Sequence, residues 1–185
     1  MIKRSLIAAC AILFGFYTSS AQPVGKTFPN MGTITLQEVN INLPSDASGK
    51  YTLLGLAFSN KSEDDLITWL VPVYEKFIGN ESGTLTKLFA EMTYDVNVFF
   101  VPMFTGINTP ATKPAMKKAL NKIDPRLHPY ILFYKGKLKP YKETLSFEKK
   151  DIPYLFVLDD KGKIVYATTG AYNGKKMSEI ENVLE

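Results

Sequence analysis

The pattern of apolar and polar positions in residues 23–185 predicts a series of strands. Residues 33–36 and 39–43 alternate apolar and polar side chains, as a strand with one buried face does, and the polar residues between them indicate a small hairpin. Two nearly continuous apolar runs, 51–58 and 96–101, have the length of strands that are buried on both faces. Three further strands are predicted from similar apolar runs, at 128–134, 153–158 and 163–167.

Apolar residues at helical spacing predict the helices that cover this sheet. Ser62-Glu63-Asp64-Asp65 has the form of a capping box. It is followed by five apolar residues at helical spacing: Leu66, Trp69, Leu70, Val73 and Phe77. Pro72 inside this pattern predicts a kink, and shorter helices are predicted at 112–123 and 177–184. The order β-β-β-α-β-α-β-β-β-α predicts an α/β fold, in which a mixed sheet has helices on both faces.

Residues 1–21 are predicted to be a signal peptide. A basic start, Met1–Arg4, precedes an apolar run from Leu6 to Tyr17, which is shorter than the roughly 20 residues that span a bilayer. Small residues at 18–21 indicate cleavage after Ala21. This leaves 22–185 as one domain and predicts a periplasmic or secreted protein with no transmembrane segment.

The single cysteine, Cys10, lies in the predicted leader. A competing interpretation makes Cys10 the lipid-modified residue of a lipoprotein, although the apolar run continues past it. Cleavage after Ala21 would leave no cysteine in the mature chain. Structural disulfides and thiol redox catalysis would then both be excluded, because the thiolate is the reacting species.

Charge is distributed unevenly along the chain. Hydrophobic residues make up 45% and charged residues 22%, which is ordinary for a globular domain and excludes disorder, collagen and coiled coil. Residues 113–150 contain 11 lysines and arginines against three acidic residues. An anionic partner is one interpretation of this Lys-rich segment, and a solvated loop is the other. Nucleic acid is not expected as a partner, since no nucleic-acid-binding module is recognisable.

Two motifs carry a resemblance to a known family. The buried strand YTLLGLAF leads into the helix that contains Pro72, and Asp151-Ile152-Pro153 leads into a strand that hairpins and ends at Gly170. This arrangement resembles the thioredoxin-like superfamily, specifically its redoxin and TlpA-like secreted branch. The resemblance implies a thioredoxin-like mixed sheet flanked by helices. It also implies a cis proline at Pro153 that faces the redox site.

Shorter motifs are similar to a second family. They are Thr68–Pro72, Pro129–Gly136 and Tyr154–Gly170. They resemble the mitochondrial ATP-synthase assembly-factor family, a thioredoxin-like relative that has lost its redox cysteines. This likeness implies an assembly or chaperone-type role.

The predicted helix start departs from the redoxin pattern, in which two cysteines of a CxxC motif lie there. Counting back from Pro72 places these positions at Asp64 and Ile67, whereas counting from the predicted cap places them at Ser62 and Asp65. Neither pair contains sulfur, so the redox activity of the family is not expected. Three acceptor-bearing side chains in this stretch, Ser62, Asp64 and Asp65, are instead candidates for a protein-binding site.

We therefore predict a redox-inactive module that binds another protein at a degenerate active-site face, made by those three residues together with Ile152 and Pro153. No catalytic residue, metal site or cofactor is predicted. His128 is interpreted as a loop histidine and Trp69 as a core residue. One alternative is an enzyme that uses carboxylates at the former cysteine positions, and another is a redoxin-like protein in envelope redox or copper homeostasis.

Overall fold

The computed structural model describes residues 23–79 and 94–185. The predicted leader and its cleavage site after Ala21 lie outside the described residues and stay predictions. The strands are β1 (Met31–Thr35), β2 (Asn40–Leu43), β3 (Tyr51–Ala57), β4 (Val96–Thr105), β5 (Leu132–Gly136), β6 (Tyr154–Leu158) and β7 (Ile164–Thr169). The α-helices are α1 (Asn60–Phe77), α2 (Thr112–Lys122), α3 (Lys139–Thr144) and α4 (Gly174–Leu184). Short 3₁₀ segments occupy Ser45–Ala47, Gly106–Ala111 and Pro125–Tyr130.

All of these strands join one mixed sheet in the order β2-β1-β5-β4-β3-β6-β7. The central strands β3, β4 and β5 run parallel, and the remaining pairs are antiparallel. β1 and β2 form the predicted amino-terminal hairpin, with Met31 opposite Leu43. The α/β class and the mixed sheet predicted from the sequence are therefore confirmed.

The sheet separates two apolar clusters. Successive residues of β3 belong to different clusters: Leu53 to the first, Leu54 to the second, and both are almost completely buried. Because side chains alternate between the faces of a strand, the prediction that β3 is buried on both faces is confirmed. The helices α1, α2 and α4 contribute to the first cluster, and α3 contributes Tyr141 to the second.

The elements differ from those predicted in several places. The strand predicted at 128–134 begins only at Leu132, because residues 125–130 form a 3₁₀ segment that contains Pro129, a residue with no N–H for a sheet ladder. The sequence does not predict the short helix α3 in the Lys-rich segment, because Tyr141 is the only buried residue of this helix and no helical apolar pattern marks it. The helix α4 begins at Gly174, ahead of its first buried residue, because the Asn173 side chain caps it by accepting from the Lys176 N–H at 3.0 Å.

The turn between β6 and β7 requires a glycine at position 162. Its φ is +79°, and a Cβ there would lie 2.5 Å from Cγ of the Pro44 ring. Gly25 has a similar φ of +90°, but a Cβ there would meet nothing within 4 Å. The two glycines therefore share the backbone constraint and differ in the steric one.

We expect Gly162→Ala to be clearly more destabilising than Gly25→Ala. Both substitutions incur the cost of about 1–2 kcal/mol for a left-handed L-residue. Only Gly162→Ala also places a methyl group against the rigid Pro44 ring. Overpacking of this kind adds about 1–3 kcal/mol. Urea unfolding followed by circular dichroism measures both free energies of unfolding. Equal losses would show that the Pro44 contact is unimportant.

Candidate functional site

The start of α1 is fixed by two serines that cap each other. Ser59 is the N-cap residue, with extended backbone, and its Oγ accepts from the Ser62 N–H at 3.2 Å. Ser62, at the third helical position, returns the bond because its Oγ accepts from the Ser59 N–H at 2.9 Å. This is a reciprocal capping box in which serine takes the place usually held by Glu or Gln. The prediction that Ser62 itself is the cap is wrong by one helical turn.

Ser62 is fully buried, and its hydrogen bonds are all used. Besides the Ser59 N–H, its Oγ accepts from the Phe58 N–H at 3.1 Å and donates to the Ser59 carbonyl at 2.9 Å. A hydroxyl offers one donor and two acceptor lone pairs. Ser62 is therefore a structural anchor of the β3–α1 junction rather than an accessible contact residue.

The same junction contacts the segment before β6. The Ser59 hydroxyl lies 2.9 Å from Oδ1 of Asp151 and 3.2 Å from the Lys150 carbonyl, and it can donate to either. Ile152 is half-buried and Pro153 is buried directly beyond. The structure thus brings the two halves of the predicted site together, through Ser59 and Asp151, two residues that the sequence interpretation had not selected.

Pro153 is held by its main chain. Its carbonyl accepts from the Gly170 N–H at 2.9 Å, and the Gly170 carbonyl accepts from Nε1 of Trp69 at 3.0 Å. Trp69 is fully buried, which confirms its interpretation as a core residue. The cis proline implied at position 153 is not found: among the described residues the cis peptide bond is Leu43–Pro44, and Ile152–Pro153 is trans.

The acidic residues of the first turns of α1 differ in their surroundings. Asp65 forms an ion pair with Lys61, Oδ1 to Nζ at 2.7 Å, which raises the pKa of the lysine. Asp64 is exposed to solvent. Burial, and then the neighbouring Asp64, raises the pKa of Glu63, while Lys118 of α2 acts in the opposite direction. Asp64 is thus the predicted acidic site residue that remains open to a partner.

The spacing of the two capping serines matters chemically. Ser59 and Ser62 are separated as the cysteines of a CxxC motif are, and their Oγ atoms lie 3.2 Å apart. Cysteines at a helix N-terminus become reactive because the helix favours the thiolate. The sequence signal that could have found this pair is Ser-x-x-Ser directly after a buried strand.

The histidine and the Lys-rich segment lie apart from this junction. Nε2 of His128 is 3.0 Å from the Ile123 carbonyl. Within 23–79 and 94–185, no group of three or more His, Cys, Asp or Glu residues could bind a metal ion. Tyr134 and Tyr141, which alternate with lysines in the sequence, are buried. An ion pair with Arg126 lowers the pKa of Asp124 to about 2.

The lysines on the two helices of the Lys-rich segment lie on opposite sides of the sheet. Those of α2 lie on a helix that packs through Met116 on the first cluster, and those of α3 lie on a helix that packs through Tyr141 on the second. None of these lysines forms a salt bridge with an acidic residue in the described ranges. An anionic partner for this segment stays a prediction, and it would meet two surfaces rather than one lobe.

No helix in the part of the chain that the structure describes is both long enough and apolar enough to cross a bilayer.

Comparisons with known proteins identify the fold. No protein-family model matches the chain, and no curated protein matches it in sequence. Among solved structures, the thioredoxin domain of a thiol-disulfide oxidoreductase from Bacteroides vulgatus is similar at 18% identity and a TM-score of 0.55, over 88% of this chain and 98% of that one. A putative protein disulfide isomerase from Bacteroides thetaiotaomicron is similar at 15% identity and a TM-score of 0.54, over 88% of each chain.

A third similar structure is a member of the Sco family of cytochrome c oxidase assembly proteins. It is 15% identical, with a TM-score of 0.56, over 87% of this chain and 93% of that one. These likenesses show that the chain has the thioredoxin-like fold, as the sequence resemblance implied. The narrower likeness to ATP-synthase assembly factors stays a prediction.

We expect Ser62→Ala to lower the free energy of unfolding by about 1–3 kcal/mol, because two main-chain N–H groups at the junction lose their acceptor. Ser178→Ala is the matched control: Ser178 is exposed on α4, where alanine is at least as good a helix former. Urea unfolding checks both variants. Equal stability of the two would show that the Ser62 bonds contribute little.

A second prediction concerns the double substitution Ser59→Cys/Ser62→Cys. We expect it to form a reversible disulfide and to catalyse insulin reduction by dithiothreitol, since the hydroxyls already lie 3.2 Å apart at a helix start. The two registers counted from the sequence supply controls, Asp64→Cys/Ile67→Cys and Ser62→Cys/Asp65→Cys. Turnover by either control at the rate of the first variant would show that Ser59 and Ser62 are not the redox positions.

Proposed function

We propose that this protein is an exported, redox-inactive module with the thioredoxin-like fold, which binds another protein in an assembly or chaperone-type role. Its docking face is the surface at the start of α1 and residues 151–153. The predicted signal peptide supports export. The loss of redox chemistry is supported by the sequence, in which Cys10 is the single cysteine.

The observation that carries the proposal is the pair of serines at the helix start. They have the spacing of a redox dithiol, yet their hydroxyls are engaged in capping and in the bond to Asp151. A serine pair of this kind cannot accept or release electrons. What it retains is the geometry of the surrounding surface.

That surface offers both charge and apolar area to a partner. Beyond Asp64, α1 exposes Ile67 and Val71, whose side chains are 56% and 53% accessible, on one face of the helix at a spacing of four residues. Tyr172 lies beside them, because its N–H donates to Thr68 Oγ1 at 3.0 Å. Exposed apolar side chains rimmed by polar ones are typical of protein–protein interfaces.

The alternative of an enzyme based on carboxylates has less support. Asp65 forms an ion pair with Lys61, and Asp64 is exposed to solvent rather than enclosed in a pocket that could hold a substrate. The fold itself does not decide the matter, since similar structures include oxidoreductases and a member of an assembly-protein family.

The test is photo-crosslinking in living cells. A benzophenone amino acid replaces Asp64 in one variant and Ile152 in another, and Lys175, exposed on α4, in the control. We expect the same envelope protein to be crosslinked from positions 64 and 152 and not from 175. The Asp64→Lys change, combined with the probe at 152, should reduce capture about tenfold. A lysine at an interface rim repels the basic groups of a partner that an aspartate attracts.

Capture of the same proteins from all three positions, or unchanged capture after Asp64→Lys, would contradict the proposed face. Mass spectrometry of the purified protein checks the export step independently. An intact amino terminus, or an acyl group on Cys10, would contradict cleavage after Ala21.

A further inference from the structure

The strand β7 forms one edge of the sheet, and the chain already uses part of that edge for pairing. Residues 25–28 lie along residues 162–164, where the turn after β6 leads into the first residue of β7. The Gly25 N–H donates to the Ile164 carbonyl and the Ile164 N–H donates to the Lys26 carbonyl, both at 2.8 Å. Thr27 forms an antiparallel bridge with Lys163. The outer edge of β7 thus accepts an extended segment by main-chain hydrogen bonds.

This internal pairing stops after Ile164. The Lys26 N–H donates to the Pro23 carbonyl at 3.1 Å, which turns the chain away from the strand, and Pro23 has no N–H with which to continue a ladder. A register shift opposite Val157 and Leu158 places one extra residue in β7. The rest of the strand has no neighbour on this side among the described residues.

The main-chain groups beyond the bulge can be assigned to the two sides of β7. The Gly170 N–H donates to the Pro153 carbonyl and so faces β6. Because main-chain groups alternate sides along an antiparallel strand, those of Thr168 also face β6. Those of Ala167 and Thr169 face outward, and no described group bonds to them.

The outward groups open onto a groove of about 400 Å³. Residues 167–169 of β7 line one side of it, Leu145 and Lys149 the other, and Tyr154 and Phe156 its floor. Ile152 and Pro23 also line it. The volume is in the range of about 300–1,000 Å³ that ligand pockets occupy. An apolar floor beside unpaired main-chain groups suits a ligand that offers both a peptide backbone and side chains.

The far wall of the groove is held in place by aromatic packing. Phe147 stacks on Phe58 with ring centroids 5.0 Å apart and contacts Tyr154 at 4.6 Å. The Tyr154 hydroxyl accepts from the Lys149 N–H at 2.7 Å and can donate to the Lys149 carbonyl at 2.9 Å. The groove is therefore preformed, which lowers the entropic cost of binding.

We propose that this groove binds an extended segment of another protein, which adds a strand to β7 at Ala167 and Thr169. The pairing of residues 25–28 with the same edge supports this occupant, since it shows the geometry that such a strand would continue. Strand addition at an open edge is a recurrent mode of peptide recognition. The groove shares Ile152 with the proposed docking face, whereas Asp64 and Ile67 of α1 do not line it.

The test uses a defined probe, an acetylated and amidated hexapeptide of alternating valine and threonine, with the ¹⁵N-labelled protein. We expect chemical-shift changes and about tenfold slower amide exchange at Ala167 and Thr169, with little change at Thr168, whose N–H is already paired. The same peptide with alternate nitrogens methylated should not bind, because it lacks the main-chain donors.

Two matched variants test whether binding requires the groove as well as the β7 strand. Ala167→Arg fills the groove and should abolish binding. Thr168 also borders the groove, but it lies opposite Leu155, a residue of the first cluster, so its side chain is on the other face of the sheet. Thr168→Arg should therefore retain binding. If Ala167→Arg does not fold, Thr169→Pro removes one outward N–H at the exposed end of the strand.

No response at Ala167 and Thr169, equal binding of the methylated peptide, or equal loss in both arginine variants would overturn the proposal. None of these measurements involves Asp64, which does not line the groove, so failure here leaves the α1 part of the docking face to the crosslinking test at position 64.

Discussion

The hydrogen bonds among Ser59, Ser62 and Asp151 are the constraint on which the site depends. They close the start of α1, satisfy the main-chain N–H groups at the end of β3, and connect both to the segment that leads into β6. Each bond contributes only about 0.5–1.5 kcal/mol net, but an unsatisfied buried group costs about 1–3 kcal/mol. The junction is therefore stable only as a complete set, and that set fixes the positions of Asp64 and Ile152.

Much of the fold follows from local sequence patterns because burial imposes them directly. The run from Tyr51 to Ala57 is apolar because both faces of β3 are covered, and the helical spacing of Leu66, Trp69 and Val73 marks the side of α1 that packs on the sheet. The short helix α3 has no such mark, since Tyr141 alone is buried there. Periodicity predicts an element only when several of its residues share one environment.

The site was harder to predict because its decisive contacts are not periodic. The motif Ser62-Glu63-Asp64-Asp65 has the composition of a capping box. The actual capping box is formed by Ser59, one turn earlier, together with Ser62. The pairing of Ser59 with Asp151 joins residues 92 positions apart, and no local pattern reports a contact over that distance. The trans bond before Pro153 is the ordinary state of an X-Pro peptide bond, and the cis form was implied by the family resemblance alone.

Serines at positions 59 and 62 affect the hydrogen bonding of the helix start as well as its redox chemistry. A thiol is a weak hydrogen-bond donor and acceptor, whereas a hydroxyl accepts well from main-chain N–H groups. A dithiol site must open for exchange with a substrate disulfide, but the buried Ser62 hydroxyl is engaged with Phe58 and Ser59. A helix start capped by two serines is therefore fixed, whereas a dithiol at the same spacing would have to open. A fixed helix start suits a binding surface, because preorganised side chains lose less conformational entropy when a partner docks.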